Sequence, residues 1–110
     1  MQSITASRLK ELLDNDEPMV LIDVREPWEN EVFNLGGVLM PMDTIMEQKD
    51  TIPFKGLLVF YCKKGIRSGI AIQRLEQKFH YNNLQNLAGG IDAWLKLFGN
   101  DDNNSPREKL

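Results

Sequence analysis

The sequence has one cysteine and one histidine in 110 residues, and both scarcities are informative. A single cysteine forbids an intrachain disulfide and any cysteine-rich zinc or iron–sulfur site. With a single histidine, a metal cage built from cysteine and histidine alone is excluded as well, and no cofactor is expected. An excess of positive charge is also missing. Thirteen Lys and Arg against sixteen Asp and Glu leave a net charge of −3, which offers no basic footprint for nucleic acid. No apolar run approaches the roughly 20 residues that cross a bilayer, so no membrane segment is expected. The opening stretch MQSITASRLKELL lacks the basic, apolar and small-residue progression of an export signal, which makes the reducing cytoplasm the expected location. Repeats and low-complexity segments are absent. What is present is ordinary for a soluble globular protein: 42% hydrophobic and 26% charged residues, in a length that suits one domain.

Short apolar runs alternate with helical patterns along the chain. Ile4, Leu9, Leu12 and Leu13 recur at helical spacing, with Thr5 or Ser7 as the cap, and the polar cluster before Pro18 ends that helix. Met19-Val20-Leu21-Ile22 reads as a buried strand, and Pro27 suits the first turn of a short helix ending at Val32. Gly36-Gly37 turns the chain into Val38-Leu39-Met40, which Pro41 closes, and a short helix is expected from Asp43 to Lys49. Leu57-Leu58-Val59-Phe60-Tyr61 is the clearest strand. Beyond it lies a helix with Ile70, Ala71, Leu75 and Phe79 on one face. Asn83 to Leu87 reads as a last strand, and Ile91 to Leu97 as a final helix stopped by Gly99. The alternation predicts a small α/β sandwich on a mostly parallel sheet. Residues 1–98 form the expected domain. Residues 99–110 are polar, contain Pro106, and are expected to be a disordered tail.

Cys62 stands where the clearest strand gives way to a helix. Strand carboxyl ends are where open α/β sheets bind ligands. Amides in the first turn of a helix lack intrahelical acceptors and favour an anion. Lys63, Lys64 and Arg67 add full positive charges close by in the chain. Such surroundings favour the thiolate, the nucleophilic form of the side chain. Gly65 suits the curled backbone that a short loop needs. The alternative is a buried cysteine acting as the sixth core position of the strand. Lys63 and Lys64 cannot continue a buried strand, which places Cys62 at the rim.

Four segments together resemble a single-domain rhodanese, a sulfurtransferase of the thiosulfate:cyanide type. They are Leu21-Ile22-Asp23-Val24-Arg25-Glu26, the Gly36-Gly37 turn with Pro41, the loop from Cys62 to Ser68, and Asn86-Leu87-Ala88-Gly89-Gly90-Ile91-Asp92-Ala93-Trp94. The resemblance implies a three-layer α/β sandwich, with a mostly parallel five-stranded sheet and helices on both faces. It also implies that Cys62 attacks the outer sulfur of a donor such as thiosulfate, becomes a persulfide, and yields that sulfur to cyanide or a thiol. Lys63, Lys64, Gly65, Ile66 and Ser68 are then the substrate-binding loop. Arg67 either stiffens that loop or meets the sulfonate end of the donor. Ser68 donates to the persulfide, caps the following helix, or does both. Four residues separate Cys62 from Arg67, one fewer than in the related phosphatase loops, and the tighter ring suits a sulfur atom rather than a tetrahedral phosphate.

The chain departs from the family pattern in three places. Asn34 stands where a His is usual, the stretch up to Pro41 is one residue short, and Phe79-His80-Tyr81 lacks the Gly that usually follows the loop's helix. Asp23 and Arg25 are supporting candidates because they leave a strand at the same edge as Cys62. For Arg25, a structural salt bridge to Glu26, Glu29 or Glu31 is favoured over substrate contact. Trp28 either lines the pocket mouth or packs over the sheet edge, Trp94 belongs to the core, and His80 has a surface or capping role. Met40, Met42 and Met46 are read as core or rim packing rather than as a partner surface. The expected partners are a small anionic sulfur donor and a thiol or cyanide acceptor. Two other readings are a sulfur relay to or from a partner protein and a non-catalytic binding module, against which the intact Cys62 speaks.

Overall fold

The computed structural model describes residues 1–99, so the expected tail, Gly99 apart, lies outside the described residues. The elements in order are β1 (Gln2–Ile4), α1 (Ala6–Asp14), β2 (Val20–Asp23), α2 (Pro27–Val32), β3 (Val38–Leu39), a 3₁₀ turn (Lys49–Thr51), β4 (Leu58–Tyr61), α3 (Ile66–Phe79), β5 (Leu84–Leu87) and α4 (Gly90–Phe98). The five strands form one sheet in the order β1-β5-β4-β2-β3, and every pairing is parallel. Strand side chains alternate between two cores, as the pleat requires. Ile22, Leu58, Phe60 and Leu84 pack with Ala71, Ile72 and Leu75 of α3. Leu21, Val59, Tyr61 and Leu87 pack on the other face with Leu9, Leu12 and Leu13 of α1 and with Ile91 and Trp94 of α4. This is a three-layer sandwich with helices on both faces. The chain leaves β2 towards one edge and β4 towards the other, so the crevice between their carboxyl ends is the topological switch point where such sheets bind ligands.

Several local expectations change. Ile4 belongs to a strand and not to the first helix. β1 pairs with β5, Ile4 opposite Leu87, and only at Thr5, whose side chain accepts from the Arg8 amide, does the helix begin. In place of the expected helix from Asp43 to Lys49, residues 43–48 form successive turns and Lys49 opens the 3₁₀ turn, with i→i−3 bonds such as Thr44 N–H to the Pro41 carbonyl and Gln48 N–H to the Ile45 carbonyl. The Tyr81 hydroxyl, 3.0 Å from the Lys49 carbonyl oxygen and 2.7 Å from that of Ile52, ties the end of this stretch to the body of the protein. On α3, Ile70 is exposed and Ile72 takes the core position beside Ala71 and Leu75. Trp94 is fully buried, Met40 is buried, and Met42 and Met46 pack partly buried against the core, as expected. His80 caps α3 in the left-handed conformation, φ 64°, and so takes the place of the missing Gly. Trp28 is 67% exposed, too open to be packed over the sheet edge.

Candidate active site

The strand-to-helix junction puts Cys62 immediately after β4 and four residues before the start of α3. Its side chain is only 1% exposed and belongs to the core on the α3 face, so the rim position expected from Lys63 and Lys64 describes the neighbours and not Cys62 itself. Cys62 nevertheless lines a pocket of about 260 Å³ together with Lys63, Lys64, Ile66 and Arg67. Three donors reach it or lie beside it: the Gly65 amide at 3.1 Å, the Ser68 amide at 3.4 Å, and the Ser68 hydroxyl oxygen at 3.3 Å. Ser68 is fully buried. The capping reading of this residue therefore fails, because the α3 N-cap is Gly65, at φ 89°, with no side-chain cap, and the Ser68 hydroxyl lies beside the sulfur instead. Only glycine adopts that conformation at little cost, and it turns the Gly65 amide onto the sulfur.

The loop rests on the start of α4, which explains the Gly-Gly-Ile segment physically. The amides of Ile91 and Asp92 donate to the carbonyls of Cys62 and Lys63, each at 2.9 Å. A Cβ on Gly90 would lie 2.4 Å from the Cys62 carbonyl oxygen, so the close approach requires glycine. Asn86, on β5, donates from Nδ2 to the Gly65 carbonyl at 2.9 Å and accepts from the Ser68 hydroxyl at 2.5 Å. The loop backbone is thus held from below by β5 and α4, and its upper side is left to the pocket.

Charge is distributed unevenly around that pocket. Arg67 makes a bidentate pair with Glu29 of α2, at 2.7 and 2.9 Å. Hydrogen bonding to the guanidinium holds the Glu29 carboxyl down at about 2, and Glu29 raises Arg67 in turn. Arg67 remains 37% exposed at its side chain and still lines the pocket. Lys63 is drawn to Asp92 at 3.7 Å, whereas Lys64 is exposed and has no ion pair among the described residues. At the end of β2, Asp23 and Arg25 close on each other. Arg25 Nε and one terminal nitrogen donate to the two Asp23 oxygens at 2.9 Å, the Arg25 amide adds a bond of 3.0 Å, and Asn30 donates to Asp23 at 2.9 Å. Arg25 also donates to the Phe33 carbonyl at 2.6 Å. The structural salt bridge expected for Arg25 therefore exists, but its partner is Asp23 and not Glu26, Glu29 or Glu31. Asn34, at the position of the family's usual His, shapes the adjoining turn by accepting from the Gly36 amide and donating to the Asn30 carbonyl.

The chain, with this fold and this geometry around Cys62, can be set beside known proteins. The profile of the rhodanese-like domain matches residues 5–97. The chain belongs to the rhodanese-like domain family. A sulfurtransferase from Allochromatium vinosum is 33% identical over 97 residues, which span 87% of this chain and 90% of that protein. A probable adenylyltransferase/sulfurtransferase, MoeZ, of Mycobacterium tuberculosis is 35% identical over 97 residues, and the match spans 86% of this chain but 24% of MoeZ. Among solved structures, a rhodanese-like domain protein from Staphylococcus aureus superposes with a TM-score of 0.77 at 30% identity, covering 86% of this chain and 91% of that one. The rhodanese-like family thus accounts for the fold.

Of two further contributors, Glu29 is not visible in the sequence pattern and Asn86 is visible only faintly. Glu29 was read only as a possible partner of Arg25. It lies 38 residues before Arg67, and nothing local joins them. Asn86 did leave a trace, being a polar residue two positions after Leu84 and therefore on the inward face of a buried strand. A polar group there needs a partner, and Ser68 and Gly65 provide it.

Proposed function

We propose that the protein transfers a sulfane sulfur through a persulfide on Cys62. The observation that carries this reading is Cys62 itself, which lines a pocket with Lys63, Lys64 and Arg67 and has the Gly65 and Ser68 amides directed at its sulfur. The Cys62 thiolate attacks the outer sulfur of an anionic donor such as thiosulfate. A bond forms between Sγ and that sulfur, the donor's S–S bond breaks, and sulfite leaves with the electron pair. The outer sulfur of the persulfide then carries the negative charge, which donors preorganised around the loop stabilise without rearranging. The carbon of cyanide, or the sulfur of a thiol, next attacks the outer sulfur. The Sγ–S bond breaks and the thiolate returns. Lys64 and the exposed side of Arg67 draw the anionic donor to the pocket. In this reading Arg67 both stiffens the loop, through Glu29, and faces the donor. Having no second cysteine, the chain hands its sulfur to an outside acceptor.

Steady-state turnover of thiosulfate and cyanide to thiocyanate tests the proposal. The expected result is turnover that Cys62→Ser abolishes and that Lys64→Ala weakens through a higher KM for thiosulfate. Turnover that survives Cys62→Ser overturns it.

The similarity to MoeZ supports a second reading of the same chemistry, a relay in which a protein persulfide is the donor or a protein is the acceptor. A persulfidated protein donor that loads Cys62 faster than thiosulfate does, at equal concentration, favours the relay. The reverse order favours the small-molecule donor.

A further inference from the structure

The Ser68 hydroxyl has one proton and two neighbours able to accept it. Its oxygen lies 3.3 Å from Cys62 Sγ and 2.5 Å from Asn86 Oδ1. The Asn86 amide is not free to turn round. Its other end lies 2.9 Å from the Gly65 carbonyl oxygen, which only accepts, so the NH₂ group faces Gly65 and the amide oxygen faces Ser68. An amide oxygen cannot donate, and the hydrogen in the short O···O contact therefore belongs to Ser68. The hydroxyl proton points at Asn86, and a lone pair of Ser68 Oγ is left facing the sulfur. That lone pair accepts from a thiol S–H and repels a thiolate. Ser68 is fully buried and Asn86 is 7% exposed, so water does not readily replace either partner.

The geometry points to Asn86 as a positioning residue that holds the Ser68 hydroxyl proton away from Cys62 and thereby opposes formation of the empty thiolate. This inference rests on the reading of Cys62 as the sulfur carrier. When the thiol ionises, the S–H bond breaks and its proton passes to a solvent base through the pocket. The Ser68 hydroxyl then swings about its Cβ–Oγ bond, gives up Asn86 and donates to the sulfur, with no other covalent bond changed. Once a second sulfur is attached, Sγ is divalent and uncharged, and the hydroxyl returns to Asn86. Asn86 thus favours the thiol and the loaded carrier over the empty thiolate.

The charged groups around the sulfur are the same with and without this contact. Lys63, Lys64 and Arg67 lie on the loop side, Asp92 of α4 faces Lys63, Glu29 of α2 holds Arg67, and Asp23 and Arg25 at the end of β2 pair with each other. A change at Asn86 alters none of them, so its effect reports hydrogen bonding rather than net charge.

The test is the rate of Cys62 alkylation against pH in the wild type, Asn86→Leu, Ser68→Ala and the double variant. Leucine nearly matches asparagine in size and frees the Ser68 hydroxyl to serve the thiolate. Asn86→Leu is expected to move the midpoint of the profile to lower pH, with alkylation about tenfold faster below that midpoint, because a hydrogen bond to a charged group is the stronger kind. In the Ser68→Ala background the same substitution is expected to leave the midpoint unchanged. A shift that persists without the Ser68 hydroxyl overturns the inference, as does an upward shift or none. A second measurement needs no variant to fold. The infrared S–H stretch of wild-type Cys62 is expected below that of a thiol without a hydrogen bond, since the thiol donates to Ser68. A free-thiol frequency contradicts this. Neither measurement uses a sulfur donor, so failure of sulfur transfer and failure of the Asn86 role are told apart.

Discussion

The exits of β2 and β4 lie side by side at one edge of the sheet, and each supplies an arginine gripped by a carboxylate through two hydrogen bonds. After β2, Arg25 is 5% exposed, Asp23 is fully buried, and the guanidinium also binds the Phe33 carbonyl. After β4, Arg67 keeps more than a third of its side chain in solvent and lines the pocket beside Cys62. The same pair of residue types is buried scaffold in one place and the half-open wall of a pocket in the other. What separates them is whether the partners use up the guanidinium. The Asp23-Val24-Arg25-Glu26 run therefore fixes a strand end beside the loop after β4, with the Arg25 guanidinium taken up by Asp23 and the Phe33 carbonyl.

Four substitutions sharpen or break that contrast, from the largest effect to the smallest. Asp23→Asn strips the buried Arg25 of its counter-charge and is expected to cost about 3–5 kcal/mol in chemical denaturation, with sulfur transfer per folded molecule largely kept. A loss below about 1 kcal/mol contradicts a scaffold role for this exit. Gly90→Ala presses a Cβ against the Cys62 carbonyl and is expected to cost about 2–3 kcal/mol while lowering kcat, because the loop carrying the sulfur must shift. Unchanged kcat in that variant rules out α4 as the support of the cradle.

Glu29→Gln acts at the open exit and is expected to cost only about 1 kcal/mol at neutral pH, since Arg67 is partly screened by solvent. Its carboxyl is held at about 2 in the folded protein against an ordinary value of 4.5. The stability from this pair is therefore fully present above pH 4.5 and is lost as pH falls towards 2. The stability gap between wild type and Glu29→Gln is expected to close across that window, while KM for thiosulfate falls severalfold as Arg67 is released. A gap that stays constant down to pH 2 contradicts the pairing. His80→Gly, remote from both exits, relieves a left-handed residue and is expected to raise stability by about 0.5–1 kcal/mol, read as a small rise in Tm. Lower stability in that variant means that the His80 side chain does more than cap α3.

The parts of the molecule legible in the sequence are those whose cause is local. The apolar run from Leu57 to Tyr61 followed by two lysines marks a strand ending at Cys62, and Pro27 marks the start of α2. The Gly-Gly-Ile-Asp-Ala-Trp run contains both the close approach of Gly90 and the buried Trp94. What the sequence concealed depends on distant partners. Ile4 reads as the first apolar residue of a helix, because the strand that turns Gln2–Ile4 into β1 lies more than 80 residues away. The turns from Asp43 to Lys49 contain enough apolar residues for a helix, but Ile45 and Met46 pack inward from i→i−3 turns instead. Arg25 was surrounded in sequence by three glutamates, and only the fold shows that Asp23 has the better geometry and that Glu29 is taken by Arg67. The position of Cys62 at the end of β4 was thus readable, whereas its burial and its contacts with Gly65, Ser68 and, through Ser68, Asn86 required three dimensions.

The central claim is that Cys62 carries sulfur, and intact-protein mass spectrometry after incubation with thiosulfate, then with cyanide, tests it most directly. The predicted result is the gain of one sulfur atom on the wild type, its complete removal by cyanide, and no gain on Cys62→Ser. A wild type that takes up no sulfur from thiosulfate, or a Cys62→Ser variant that takes it up equally well, contradicts the account.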